Sequence, residues 1–341
     1  MSRRLAAQVT GVAAIAVLGL GLSACGSSSP KSSSPKSSSS AGSGHAALAG
    51  KNFELVVGTK SDDFYVTMEC GAEAEAKQLG VNLKVTGPAD FSPSEQAPIL
   101  NAVAASRPDA LIVAPTDASA LNPELQRIQS EGTKIIFVDT SSSDSSLGLS
   151  RITSDNIGGG KLAADQLAKQ MGGKGTVAVI DVNPGISTTD ARVQGFKEEM
   201  KAKYPGITVL GTQYDNDSSA TAASQVESDI TAHPNLNGVF AANVLSAEGA
   251  ATGVKHAGKS GMVKVATFDA DPQQMQALKS DTIQLAIAQD PYLEGQDGVQ
   301  QAANAIEGKP VTKNIGTPLV AITRQNMNQP NVAKYIYKTS C

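Results

Sequence analysis

From residue 51 onward, short apolar runs alternate with amphipathic stretches, and this alternation constrains the fold more than any other feature. Apolar runs at 53–58, 82–86, 110–114, 134–139, 175–181, 208–214, 238–242, 264–268 and 283–288 have strand length. Stretches at 95–105, 123–131, 156–171, 191–204, 220–233, 246–257 and 292–307 have helical spacing. Strands separated by helices of this length build βαβ units and parallel sheets. There are too many for one ordinary sheet, so the α/β chain is expected to form two doubly wound parallel-sheet lobes. The breaks between lobes fall near Ser154-Asp155-Asn156, near Gln289-Asp290-Pro291 and after Pro318. Three crossings make a hinge, with 51–154 plus 290–318 as the N-terminal lobe and 155–289 plus 319–341 as the C-terminal lobe and tail.

The first 50 residues follow other rules. Arg3 and Arg4 precede a mostly apolar run at 5–21, and Leu22-Ser23-Ala24-Cys25 follows. This has the form of a secretory signal over residues 1–25. Its last four residues resemble the bacterial lipobox, which makes Cys25 the expected lipidation site. Residues 26–50 begin with Ser-Ser-Ser-Pro-Lys twice, at 27–31 and 32–36, and offer almost nothing to bury. They are expected to be a solvated tether. The expected location is therefore the outer face of the cytoplasmic membrane, by an N-terminal lipid anchor.

With Cys25 assigned, Cys70 and Cys341 remain, and an exported chain with an even remainder favours a disulfide between them. On a helical projection through Met68, Tyr65, Ala72, Ala76 and Leu79 share one face and Cys70 lies nearly opposite. Cys70 is thus expected to be exposed, where a C-terminal tail running over the surface could reach it.

Net charge is -4 with no long block of like charge, so nothing indicates nucleic acid. The three histidines, His45, His233 and His256, are placed for neither a metal cluster nor a catalytic base. No metal, no cofactor and no enzymatic activity are expected. Residues 253–260 match the phosphate-loop pattern G-x-x-x-x-G-K-[ST], but there the helix precedes the strand. A phosphate loop needs strand, loop and then helix, so Gly258 is assigned instead to a helix C-terminus.

Polar residues recur at the carboxyl ends of the strands. Val138 leads into Asp139, Ala242 into Asn243, Phe268 into Asp269 and Ala288 into Gln289, while Val182 and Asn183 enter a loop that leads to Arg192. Singly, each is as good a cap or turn residue. Together they lie on the sheet edges where open α/β folds collect ligands. The segment 58–72 belongs to the same set. It is expected to be a strand-to-helix corner carrying Asp62, Phe64 and Tyr65, with helix from Glu73 to Leu79.

Residues 51–322 resemble the ribose-binding-protein family of ABC-transporter substrate-binding proteins, which have the type I periplasmic binding fold. The resemblance is carried by Phe64-Tyr65-Val66, Ile136-Phe-Val-Asp139, Ser154-Asp-Asn-Ile-Gly-Gly159 and Arg192-Val-Gln-Gly-Phe196. Val239-Phe-Ala-Ala-Asn243, Phe268-Asp269 and Ile287-Ala-Gln289-Asp-Pro291 complete it. It implies that Phe64 and Tyr65 stack on a sugar's C–H face. It implies that Asp139, Arg192, Asn243, Asp269 and Gln289 bind hydroxyls, with Asp62 where ribose binders carry Asn. Two departures stand out. Thr140 replaces the family's Arg, and no aromatic stands near Asn216 or Asp217. Ribose itself is thus disfavoured against another pentose, a hexose or a linear polyol. The resemblance implies a monomeric receptor that closes by hinge bending and delivers its sugar or polyol to the membrane permease of an ABC importer. The alternative is a receptor of the same fold that signals to a membrane kinase or chemoreceptor.

Overall fold

The computed structural model describes residues 47–341. The expected leader, Cys25 and all but the last four residues of the tether lie outside the described residues.

The first half runs β1 (Asn52–Val56), α1 (Asp63–Leu79), β2 (Asn82–Thr86), α2 (Pro93–Ser106), β3 (Ala110–Val113), α3 (Asn122–Ser130), β4 (Lys134–Val138) and β5 (Ser150–Ser154). The second runs α4 (Asn156–Gln170), β6 (Gly175–Asp181), α5 (Ser187–Lys203), β7 (Ile207–Tyr214), α6 (Ser219–Ala232), β8 (Leu236–Ala241), α7 (Val244–His256), β9 (Lys264–Phe268), α8 (Pro272–Lys279) and β10 (Leu285–Ala288). The chain ends with α9 (Pro291–Ile306), β11 (Asn314–Thr317), β12 (Val320–Ile322) and α10 (Pro330–Ala333).

These strands form two six-stranded sheets, ordered β11-β5-β4-β3-β1-β2 and β12-β10-β9-β8-β6-β7. Every pairing is parallel except β10 with β12. Central strands such as β3 and β10 are buried at every position. Such unbroken apolar runs suit sheets covered by helices on both faces. One face of the first sheet packs Leu100, Val103, Leu125 and Ile128 of α2 and α3 against Val56, Leu111, Val113 and Phe137. On the second sheet, Ala163, Leu167, Val193 and Phe196 of α4 and α5 cover Val177, Val179, Phe240 and Phe268.

α9 returns to the first sheet and packs on α1, while β12 joins the second, so Thr317 and Val320 stand in different sheets. The α4–α5 crossing is close. A Cβ on Gly160 would lie 2.0 Å from the Arg192 carbonyl oxygen, and one on Gly195 would lie 2.1 Å from that of Ile157. That crossing sets where α5 presents Arg192.

Several features differ from the sequence expectation, which marked none of α8, β11, β12 and α10. α1 starts at Asp63 rather than Glu73, because Asp62 caps it: its Oδ1 accepts from Phe64 N at 2.8 Å. β5, with sequence SRITS, lacks the apolar run that marks the other strands and was not expected. Cys70 is buried rather than exposed, because the C-terminal tail covers it. Cys70 and Cys341 are disulfide-bonded across a sequence separation of 271. Loop closure of that size contributes up to about 5 kcal/mol in the chain-entropy account. At 253–260, α7 ends at His256 and Gly258 takes φ +66, with Lys259 N bonded back to Val254 O, as in a helix C-terminus. No described helix is long and apolar enough to cross a membrane.

Candidate functional site

The carboxyl ends of both sheets face a cavity. Asp62, Phe64, Tyr65, Asp139, Arg192, Asn243, Asp269 and Gln289 all line it. Six further residues join them: Phe91, Val182, Ile186, Thr188, Thr189 and Asp217. Two hydrogen bonds close its lip, Ala118 N to Gly185 O and Ser141 N to Ser187 Oγ, both at 3.1 Å.

Strand-end placement fixes the acids. Asp139 and Asp269 directly follow β4 and β9 and adopt left-handed φ of 55° and 77°. Asn216 and Asp217 follow β7 with φ of 56° each. Among the described residues, three of the six non-glycine residues with positive φ, Asp139, Asp217 and Asp269, therefore line this cavity. Asp and Asn tolerate that conformation better than other side chains, and such strain concentrates at functional sites.

Arg192 is the cation among these acids. Its Nε donates to Asn156 Oδ1 and its Nη1 to the Ala242 carbonyl, both at 2.8 Å. Nη1 also stands 3.8 Å from Asp269 Oδ2, and the guanidinium lies 4.3 Å from the centre of the Phe268 ring. Asp269 Oδ1 accepts from Gln289 Nε2 at 2.7 Å and from Tyr337 Oη at 2.8 Å. Gln289 Oε1 is buried and has no partner. Gln289 lines the cavity, and an unmet buried acceptor costs about 1–3 kcal/mol. Asn243 is occupied: its Oδ1 accepts from Ser246 N as the cap of α7, and its Nδ2 donates to Asp217 Oδ1 at 2.8 Å.

The aromatic pair does not form one parallel wall. The Phe64 and Tyr65 rings meet edge to face, 5.0 Å apart at 88°. Tyr65 Oη donates to Asp139 Oδ2 at 2.7 Å, and its ring stacks at 22° on Phe91, 6.4 Å away. Phe91 sits in the loop after β2, where no periodic pattern marked it. Asp217 occupies the region expected only to lack an aromatic. Tyr337 lies in a tail with no repeating pattern. Glu294 was also not anticipated. Fully buried at the start of α9, its Oε1 accepts from Ser154 Oγ at 3.1 Å and Thr317 Oγ1 at 2.8 Å, tying the ends of β5 and β11 together.

Burial dominates the titration of these acids. It lifts Asp139 to about 6 against the opposing pull of Arg192 and the Tyr65 hydroxyl. Asp62 is raised well above its ordinary value by burial and then by the charge of Asp269. Glu294 is likewise raised by burial and then by Asp139. Burial also lifts Asp181, Asp215 and Asp271 to about 6. Each of these groups holds its proton more tightly when folded than at the ordinary value of 3.8. Their stabilisation is complete below that value and is lost as pH rises through about 6. The sugar-free protein should therefore melt several degrees higher at pH 5 than at pH 8, each such acid contributing about 1 kcal/mol. A melting temperature that is flat or rises toward pH 8 in scanning calorimetry would contradict this burial pattern.

Among the described residues no group of His, Cys, Asp and Glu could hold a metal ion. Carboxylates, one guanidinium, amides and aromatic faces together suit a neutral solute rich in hydroxyls. Each hydroxyl both donates and accepts, and rings cover the apolar side.

Comparison with known proteins agrees with the fold. The family profile described as periplasmic binding protein domain matches residues 53–310. The ribose import binding protein of Bacillus subtilis is 28% identical over 271 residues, covering 80% of this chain and 87% of that protein. An ABC transporter solute-binding protein from Agrobacterium vitis, solved with bound alpha-D-tagatopyranose, is 43% identical. It superposes with a TM-score of 0.83 over 84% of this chain and 99% of that one. A carbohydrate transporter solute-binding protein from Agrobacterium radiobacter, in complex with D-arabinose, is 30% identical with a TM-score of 0.81, covering 85% and 99%. These relatives are binding proteins of transport systems, not enzymes. Two parallel-sheet lobes, a cleft at their strand ends and a family match over most of the chain place this protein in the periplasmic binding protein family, with the type I fold of sugar ABC transporter solute-binding proteins.

Proposed function

We propose that this chain captures a monosaccharide or linear polyol in the interlobe cleft and delivers it to the permease of an ABC importer. It works as a monomer anchored through lipid on Cys25 at the outer face of the cytoplasmic membrane. The observation that carries the reading is the convergence of Asp139, Arg192, Asp269 and the unpartnered Gln289 Oε1 beside Phe64 and Tyr65. Asp62, Asp217 and Asn243 extend the polar wall. The hinge lies where the chain passes 154–156, 289–291 and 317–320. Hydroxyls buried only in the shut cleft supply the differential affinity that drives closure.

Ribose is disfavoured as the solute. Thr140 is buried and donates to the Pro115 carbonyl at 2.7 Å, so no second cation enters the cleft there. Asp217 stands where a stacking ring would be expected. The Agrobacterium vitis relative puts a ketohexose first among candidates. A thermal-shift panel of D-tagatose, D-arabinose, D-fucose, D-ribose and xylitol tests this. A sugar at 100 times its dissociation constant stabilises by about 2.7 kcal/mol. D-tagatose should raise the melting temperature by several degrees and D-ribose should not. If no pentose, hexose or polyol moves it, the reading fails.

Hydroxyls that donate to Asp139 favour its charged form, so protons compete with sugar as pH falls through about 6. Affinity for D-tagatose is expected to fall about 10-fold from pH 7 to pH 5. Calorimetry at the two values decides it, and an affinity that rises toward pH 5 removes Asp139 from the ligand set. Palmitate labelling of cells, lost in Cys25→Ala, tests the anchor.

A further inference from the structure

After β12 the chain does not remain with the second sheet. Tyr337 N donates to Ala270 O, next to Asp269 at the end of β9, at 3.0 Å. The following amide, Lys338 N, donates to Thr67 Oγ1 on α1 at 2.7 Å. Three residues later Cys341 is bonded to Cys70, also on α1. Consecutive amides are thus held by different lobes, and the chain end is covalently fixed to the first. Four residues span at most about 14 Å. The lobes cannot separate around this point further than that without undocking Tyr337.

Tyr337 is itself buried behind the cleft wall. Its Oη donates to Asp269 Oδ1 at 2.8 Å and accepts from Gln289 N at 3.3 Å. Its ring meets the Phe64 ring edge to face, 5.7 Å away at 72°. It therefore touches two cleft residues from the second lobe and one from the first. Met327, Val332 and Tyr337 belong to one apolar cluster that includes Met68 and Val138 on one side and Ala178 and Val239 on the other.

We propose that Tyr337 is a positioning residue of the cleft, and that the disulfide-fixed tail is a fourth crossing between the lobes that limits their opening and slows solute release. Through Asp269, Gln289 and Phe64, Tyr337 holds two hydroxyl-binding groups and one apolar face in the geometry of the shut cleft. The role assigned to these contacts rests on the sugar-binding reading above, but the crossing itself does not.

The test compares the wild-type protein with Tyr337→Phe and with Cys70→Ser/Cys341→Ser. Without sugar, the double serine variant should exchange the amide hydrogens of Tyr337 and Lys338 at least about 10-fold faster. Its radius of gyration in small-angle X-ray scattering should rise. Tyr337→Phe keeps the ring against Phe64 and should keep the radius, while the Gln289 amide, its acceptor gone, exchanges faster. With D-tagatose as probe in stopped flow, both variants should dissociate about 10-fold faster with little change in association, Tyr337→Phe through the lost hydrogen bond to Asp269 and the double serine variant through the freed tail. Unchanged exchange and scattering in the double serine variant would overturn the crossing. An unchanged Gln289 amide, or unchanged D-tagatose dissociation, in Tyr337→Phe would overturn the positioning role. A wild-type protein that takes up no sugar counts against the sugar reading alone, because exchange and scattering are measured without it.

Discussion

Asp269→Asn is expected to weaken sugar binding at least 100-fold and to lower the melting temperature of the sugar-free protein by several degrees. Asp269 is the most connected acceptor of the cleft. Gln289 Nε2 and Tyr337 Oη fill its Oδ1, and Oδ2 stands 3.8 Å from Arg192. Asn keeps the shape and tolerates the left-handed φ of 77°. It removes the charge, and its amide must turn a donor either toward Arg192 or toward both Gln289 Nε2 and Tyr337 Oη. Charge-assisted hydrogen bonds contribute about 1.5–3 kcal/mol each, and a hundredfold loss corresponds to about 2.7 kcal/mol. Titration calorimetry with a sugar that binds the wild type decides it. Unchanged affinity in this variant would sink the site assignment.

Gly195→Val is expected to cost about 3 kcal/mol or more, lowering the melting temperature by roughly 5 °C or preventing folding. The obstacle is backbone, not a side chain that can move aside. A Cβ at Gly195 would stand 2.1 Å from the Ile157 carbonyl oxygen, and its counterpart at Gly160 would meet that of Arg192 at 2.0 Å. Either substitution must push α4 and α5 apart. Because α5 carries Arg192, a Gly195→Ala protein that still folds should also bind sugar more weakly, although neither glycine lines the cleft. Scanning calorimetry on both variants, with sugar titration on whichever folds, measures the two effects. A Gly195→Val protein as stable as wild type would show that the helices cross less closely than described.

Some of this was legible because local rules sufficed. Nine apolar runs spaced by amphipathic stretches imply parallel sheets under helices, since a strand buried on both faces has no polar side to show. Polar residues at the ends of those runs mark one sheet edge, and Asp139, Arg192, Asp269 and Gln289 do meet there. β5 was not legible: SRITS pairs between β4 and β11 and takes its place from its neighbours rather than from its own hydrophobicity. Nor was the burial of Cys70. A helical projection sees only one helix, whereas the tail that covers it arrives from 271 residues away.

By itself the sequence determined most of the strand and helix segments and which edge carries the polar groups, because hydrophobic period and strand-end chemistry act over a few residues. Only the tertiary structure decided that Phe64 and Tyr65 stand edge to face, with Phe91 rather than Phe64 stacked on Tyr65. It alone decided that Asn243 is engaged with Asp217 and that Tyr337 reaches Asp269 and Phe64 together. Those outcomes depend on contacts between residues distant in the chain, set by helix crossings such as that of Gly160 and Gly195, and no local pattern encodes a distance across a cleft.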